Sequence, residues 1–260
     1  MKFQIVSLFP ELIETAARTG MVERGVKKGL LSVSCVNPRE FTADAHRSVD
    51  DRPFGGGDGM IFLPEVLEKT IDGIKARGPT KVIYLSPQGP VLTDRKAREL
   101  AAEPSLTLVC GRYGGIDQRT INTHVDEELS IGDYVLAGGE LAALVVVETV
   151  ARQIPGVLGH EESSSKDSFA DGLLEHPNFS RPREWKGQAV PEVLLGGNHA
   201  KIEEWKRRLS QLVTLMKRPD LAAKLASEEK KKALAYFDGM SEEDRRVCGL
   251  DGLQREDFGV

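Results

Sequence analysis

The chain has 260 residues, enough for one large domain or two modest domains with their own cores. Its formal net charge of −5 excludes a uniformly basic nucleic-acid-binding protein, so any contact with nucleic acid must come from a local patch. Three widely separated cysteines argue against a disulfide framework, and the most apolar run, residues 141–150, is too short to span a bilayer. We therefore expect a cytoplasmic protein with reduced thiols and no membrane partner.

Apolar runs that alternate with helical patterns predict a parallel α/β sheet in the first part of the chain. The helix that starts at Pro10 contains two weak points, Gly20 and Gly25. The polar residues 37–59 end in RPFGGGDGM and are typical either of a functional loop or of a flexible hairpin. Strands are expected at 3–9, 30–36, 81–86 and 106–110, and helices at 10–29, 64–77, 93–103 and 140–154.

The composition changes at GHEESSSKD, residues 159–167, where a short serine-rich segment predicts a linker. Beyond it the pattern is helical, with helices expected at 199–218 and 221–237. We therefore predict a first domain at 1–158, a linker at 159–170 and a smaller helical domain at 171–260. Helix 199–218 is rich in cations, which fits either a solvated helix face, the commoner case, or a patch that contacts phosphates.

Residues 109–141 are the stretch around which the chain is organised, because two glycine-bearing turns flank a short polar helix there. Another turn of this kind follows the strand at 81–86. Glycines let a ligand approach the backbone closely, and ligands of α/β folds bind at the carboxyl edge of the sheet. The sequence lacks the dinucleotide fingerprint, a Walker A lysine, a G-x-S-x-G elbow and histidines at metal-ligand spacing. The residues alone therefore predict an α/β enzyme with a small-molecule site and a helical appendage.

Long motifs follow one another over about residues 1–215: SLFPE, DDRPFGGGDGM, VIYLSPQG, LVCGRYGGID, SIGDYVLAGGEL, IPGVLGHEES, DSFADGLLEHPNFSRP and VLLGGNHAKIEEW. Together they closely resemble the bacterial tRNA (guanine-N1)-methyltransferase family of the SPOUT class, whose members use S-adenosylmethionine (SAM). The resemblance implies an open, mostly parallel α/β sheet with a deep trefoil knot, a helical C-terminal domain, and a homodimer with active sites shared between subunits. It implies methyl transfer from SAM to N1 of the guanine 3′ of the anticodon, position 37, in tRNA.

The same resemblance assigns site residues. Asp167 matches the family's general base and Arg152 the cation that assists it, although singly they are also typical of a helix N-cap and a helix C-terminus. A carboxylate can take the N1 proton while a guanidinium stabilises charge on O6. Glu175 is implied to reach the cofactor across the dimer, and Lys206, Arg207 and Arg208 to hold phosphates of the anticodon arm. The other implied cofactor contacts are Tyr84, Leu85, Ser86, Pro87, Gly111, Tyr113, Ile131, Gly132, Asp133, Tyr134, Val135, Leu136, Gly138 and Gly139.

One position departs from the family pattern, since Gly114 stands where the family usually carries Glu. That acid is thought to place the cofactor amine or a magnesium ion, so magnesium is only an optional cofactor here. Two alternatives to the guanine N1-methyltransferase stay open. The first is another SPOUT enzyme, for instance a ribose 2′-O-methyltransferase. The second is a tRNA-binding relative with weakened or lost catalysis, for which Gly114 is the only hint.

Overall fold

The computed structural model describes residues 1–57, 59–159 and 167–258, and the chain divides into two compact units, Met1–Glu161 and Glu162–Val260. The strands of the first unit are β1 (Lys2–Val6), β2 (Ser32–Val36), β3 (Asp50–Asp51), β4 (Ile61–Phe62), β5 (Lys81–Leu85), β6 (Ser105–Cys110) and β7 (Glu127–Leu129). Its helices are α1 (Pro10–Ala17), α2 (Gly20–Lys27), α3 (Pro64–Lys75), α4 (Asp94–Ala101), α5 (Gln118–His124) and α6 (Glu140–Ala151).

Five of these strands form one parallel sheet in the order β2-β1-β6-β5-β7. The central strand β6 is buried at all six positions, as its continuous apolar run predicts. Helices α1, α2, α4 and α6 contribute to one core with residues such as Ile5 and Leu108. Helix α3 contributes Leu67 and Ile71 to a second core, with Val109 of β6. The predicted open α/β sheet is therefore present, with both faces covered.

Some elements differ from their sequence-based predictions. The expected helix at 10–29 is two helices, and Gly20, a predicted weak point, adopts a φ of +62° at the start of α2. The expected loop at 37–59 contains a 3₁₀ turn, Pro38–Phe41, and β3, which pairs antiparallel with β4. The sequence does not predict strand β7, because two of its three residues are acidic. In the structure the Glu127 carboxylate is neutralised by two lysines, with the Lys81 Nζ at 3.0 Å and the Lys96 Nζ at 2.5 Å from its oxygens.

The second unit has a helical core with one short hairpin. The predicted apolar stripe of its longest helix is present, with Trp205, Leu209 and Leu212 buried. Its strands are β8 (Glu184–Trp185) and β9 (Gln188–Ala189), and its helices are α7 (Glu192–Leu195), α8 (His199–Lys217), α9 (Pro219–Ala222), α10 (Ser227–Asp238) and α11 (Glu242–Val247). The expected helix at 221–237 is thus α9 and α10, and a final 3₁₀ turn places Phe258 5.0 Å from Phe237, between ring centroids. Among the described helices, none combines the length and apolarity needed to cross a bilayer.

Candidate active site

Three turns follow the carboxyl ends of β5, β6 and β7 and enclose a cleft in the first unit. We call them the first, second and third turns, in that order. Because these strands are parallel, their ends lie on one edge of the sheet, as the glycine-rich sequence predicts. The cleft has a volume of about 250 Å³, close to the lower end of the range for small-molecule sites. The turns therefore form a concave site rather than a flat edge.

The first turn wraps tightly around the end of β7. The Ser86 amide donates to the Leu129 carbonyl at 3.1 Å, the Leu92 amide donates to Ser130 at 2.8 Å, and the Ser130 amide returns a bond to Pro90 at 3.0 Å. A Cβ on Gly89 would lie 2.5 Å from backbone atoms of the β7 strand. Only glycine fits at this contact without moving the backbone.

The far end of the third turn is held against the end of β6. The Gly139 amide donates to the Gly111 carbonyl at 2.9 Å, and a Cβ on Gly139 would lie 2.8 Å from the Cys110 Cα. Near the start of the turn, the Ser130 hydroxyl accepts a bond from the Gly132 amide at 3.1 Å. The residues between these contacts are therefore fixed at both ends and lie along the cleft.

The segment between these contacts, residues 133–138, presents apolar side chains to the cleft. Tyr134, Val135 and Leu136 line the cleft, and 54%, 85% and 37% of their surfaces are exposed. In the described part of the chain, the amides of Val135, Leu136 and Ala137 donate to no protein atom. Exposed apolar side chains beside unpaired N–H groups are typical of a surface that a flat, polar-edged ligand covers.

The second turn contributes the only cationic side chain on the described cleft wall, Arg112. Its guanidinium carbon lies 4.3 Å from the centroid of the Phe9 ring, and its buried Nε has no hydrogen-bond partner among the described residues. Tyr113 has a φ of +55° and is 65% exposed, so its ring projects from the turn. Arg112 and Tyr113 thus give this wall a charge and an aromatic surface.

Two ionisable groups beneath the cleft are held neutral. Burial raises the pKa of the Tyr84 hydroxyl, although a hydrogen bond from the Ile116 amide opposes the shift. Burial also raises the pKa of the Cys110 thiol, with the neighbouring Glu140 adding to the effect. Cys110 is therefore a packing residue and not a thiolate nucleophile.

The β3–β4 hairpin explains how Gly114 fits. The Gly114 amide donates to the Met60 carbonyl at 2.9 Å, and the Phe62 amide donates to Gly115 at 3.1 Å. A Cβ on Gly114 would lie 2.8 Å from the Ile61 Cδ1 and 3.1 Å from the Met60 oxygen. A side chain at 114 would therefore need the end of the Ile61 side chain to move aside and the Met60 carbonyl to shift by a few tenths of an ångström.

Most of the cofactor residues that the sequence implied lie together in this cleft. Asp133 is exposed and lies beside the cleft wall. Glu175 belongs to the second unit, where its Oε1 accepts a hydrogen bond from the Asn178 side-chain Nδ2 at 2.7 Å. The sequence did not single out Arg112 or Gln88, although both lie within quoted motifs. The implied residues that line the cleft are Tyr84, Leu85, Ser86, Pro87, Gly111, Tyr113, Ile131, Gly132, Tyr134, Val135, Leu136, Gly138 and Gly139.

The two implied catalytic residues lie in different units. Arg152 is the half-buried C-cap of α6 in the first unit. Asp167 is half-buried in the second unit, and its carbonyl accepts a bond from the Ala170 amide at 3.2 Å. Most of the serine-rich segment, residues 160–166, lies outside the described residues. Joint action of Arg152 and Asp167 on one substrate therefore stays a prediction.

The three cations implied to contact RNA are each paired with an acid. Arg207 and Arg208 both donate to the Glu229 carboxylate, each at 3.1 Å, and Lys206 lies 3.2 Å from Glu203. Their positive charge is thus partly neutralised within the second unit. Their contact with RNA stays a prediction.

The cleft offers no metal-binding set among the described residues. The one group of carboxylates and histidine with ligand spacing in the described ranges is Glu68, Asp72 and His124, on α3 and α5. The optional magnesium ion therefore has no described ligand set at the cleft.

Comparison with known proteins places this geometry in a family. The profile described as tRNA (Guanine-1)-methyltransferase TrmD matches residues 1–224. Relatives called tRNA (guanine-N(1)-)-methyltransferase include one from Serratia proteamaculans, 52% identical over 90% of this chain and 92% of its own. Others are from Pseudoalteromonas atlantica, 50% identical over 96% of both chains, and Ralstonia nicotianae, 50% identical over 85% of this chain and 86% of its own. The chain belongs to the TrmD family of tRNA (guanine-1)-methyltransferases.

Proposed function

We propose that this chain transfers a methyl group from SAM to N1 of a guanine in tRNA, at position 37, immediately 3′ of the anticodon. The observation that carries the proposal is the cleft formed by the three turns in a chain of the TrmD family. The names of the relatives favour guanine N1 over the ribose hydroxyl of other SPOUT enzymes. Gly114 is the one hint of a purely binding role, and the names of the relatives do not favour that role.

The cleft residues fit the parts of SAM. The amides of Val135, Leu136 and Ala137, which donate to none of the described residues, suit the hydrogen-bonding edge of an adenine, and apolar side chains such as Ile131 suit its faces. When bound, SAM supplies a methyl group activated by the positive charge on its sulfur. The proposal includes no magnesium, since the described cleft residues provide no ligand set for it.

Asp167 and Arg152 are proposed to act on the guanine. N1 of guanine carries a proton and is a poor nucleophile until this proton leaves. In the proposal, the Asp167 carboxylate accepts the proton as the new N–C bond forms and the bond between the methyl carbon and the sulfur breaks, with S-adenosylhomocysteine as the leaving group. The Arg152 guanidinium stabilises the negative charge that develops on O6. Glu175 is proposed to contact the methionine part of SAM.

The proposal also includes a cytoplasmic homodimer, with the trefoil knot and shared active sites of the family. Leu141 and Val145 of α6 are 55% and 42% exposed, next to an apolar groove of about 520 Å³ in the first unit. A second copy that covers this helix would bury these side chains.

The test is to incubate the protein with isotopically labelled SAM and tRNA that lacks this modification, and then to identify the labelled nucleoside by mass spectrometry. We expect N1-methylguanosine, and no label in a matched tRNA with adenosine at position 37. A labelled ribose methyl group would contradict the proposal. So would tRNA binding without any label.

A further inference from the structure

The β8–β9 hairpin is the most exposed stretch of the second unit that the function above does not use. All residues at 180–188 are exposed. The two strands pair through Glu184 with Ala189 and Trp185 with Gln188. Both central turn residues, Lys186 and Gly187, have positive φ, at 52° and 74°, which is the geometry of a type I′ turn. The hairpin is therefore a defined projection and not an irregular loop.

The hairpin carries cationic side chains for which the described residues provide no acidic partner. Arg181, Arg183 and Lys186 form no ion pair within the part of the chain that the structure describes, and Glu184 is the single acid among them. By contrast, Arg207 and Arg208 of α8 share the Glu229 carboxylate. In a chain with a net charge of −5, an exposed cluster of this sign favours an anionic partner.

The hairpin also presents a large aromatic surface. Trp185 is 61% exposed, and the Lys186 Nζ lies 4.6 Å from the centroid of its ring. The exposed indole beside a cation offers a face on which a planar ring can stack. Flat aromatic rings flanked by cations are how proteins hold unpaired bases, because every base has a face that stacks and a phosphate beside it.

We propose that the β8–β9 hairpin is an RNA-binding element, in which Trp185 stacks on an unpaired base and Arg181, Arg183 and Lys186 contact the neighbouring phosphates. The inference rests on the proposed function only for the identity of the RNA, an anticodon arm. It differs from the sequence-based prediction, which assigned the phosphate contacts to α8. Trp and Arg are also common at protein interfaces, so it is the excess of unpaired cations over acids on the described hairpin that favours RNA, whose phosphates these cations can contact.

The experiment measures the affinity of the full-length protein for an unmodified tRNA transcript at several salt concentrations. We expect Trp185→Ala to weaken binding about ten-fold and Trp185→Phe, which keeps a stacking ring, to retain most of the affinity. Arg183→Gln with Lys186→Gln should lower the slope of log affinity against log salt by about 1.4. The matched control is Lys231→Gln, which removes an exposed charge from α10 and should leave affinity and slope unchanged. Affinity for S-adenosylhomocysteine and the dimer dissociation constant are measured for every variant.

Binding of the transcript by Trp185→Ala within two-fold of the wild type, with an unchanged salt slope, would overturn the inference. A weakened dimer with unchanged RNA affinity would also overturn it, because the hairpin would then serve the second copy. Wild-type protein that forms no N1-methylguanosine, yet binds RNA in a hairpin-dependent way, would refute the proposed function and support the RNA surface.

Discussion

Single glycines decide whether the chain can pass close to itself at the cleft. Gly89 and Gly139 each face backbone of another segment at a distance that no Cβ tolerates. These contacts hold the first and third turns against the ends of β7 and β6. The shape of the candidate SAM site therefore depends on the absence of two Cβ atoms, and not only on the side chains that line it.

We predict that Gly89→Ala destabilises the first unit by about 3 kcal/mol or more. The new methyl group would overlap the backbone of Glu128 and Leu129 in β7, which is hydrogen-bonded to the first turn. The free energy of unfolding from urea titration measures this. Gly196→Ala is the control, since its Cβ would make only ordinary contacts at 3.8 Å. Equal stability of the two variants would contradict the close approach.

At the scale of elements, ion pairs account for strand β7, which the hydrophobic pattern does not predict. Strands β5 and β6 were predictable because their runs are apolar and buried. The short acidic strand β7 was not, because its pairing with β5 depends on lysines that are distant in sequence. The β8–β9 hairpin was not predictable for a different reason: its two-residue strands are too short and too exposed to show an alternating pattern. The glycine turns at the site were predictable from the sequence. The position of Arg112 on the cleft wall could be seen only in the structure.

The Glu127 carboxylate fixes the start of β7. Burial raises its pKa, but hydrogen bonds from Lys96 and Lys81 outweigh this effect and lower it. We predict that Glu127→Gln destabilises the protein by about 1 kcal/mol, because the half-buried lysines lose their partner. Thermal unfolding measures the loss. Glu14→Gln, which breaks an exposed pair with Arg18, should have little effect.

The junction of α8 and α10 should respond to acid. Hydrogen bonds from Gln211 and Arg208, with the charges of both arginines, lower the pKa of Glu229 to about 2. The ionised carboxylate therefore stabilises the fold above the ordinary pKa of about 4.5, and this contribution is lost as the pH falls toward 2.

We predict that Glu229→Gln is less stable than the wild type at about pH 6, and that the difference shrinks steadily below about pH 4. Urea unfolding at a series of pH values measures this. The neighbouring exposed Glu228→Gln serves as the control. A difference that stays constant or grows on acidification would refute the linkage.

At the scale of the whole molecule, the exposed face of α6 is the feature that a monomer does not explain. We predict that Leu141→Glu shifts the protein from dimer to monomer in sedimentation velocity, because the charge would enter the proposed interface. Leu195→Glu, at a residue 39% exposed in the second unit, should leave the dimer intact. A wild-type monomer, or a Leu141→Glu dimer of unchanged affinity, would contradict the proposal. Methyl transfer should fall together with the dimer fraction if active sites are shared.

The central claim is that a carboxylate removes the N1 proton of a guanine while the three turns hold the methyl donor. It is tested most directly by the single-turnover rate of N1-methylguanosine formation by Asp167→Ala. We predict a rate lowered by about 10²- to 10⁴-fold, with unchanged affinity for S-adenosylhomocysteine, because the turns proposed to bind it are intact. An undiminished rate in this variant would contradict the account.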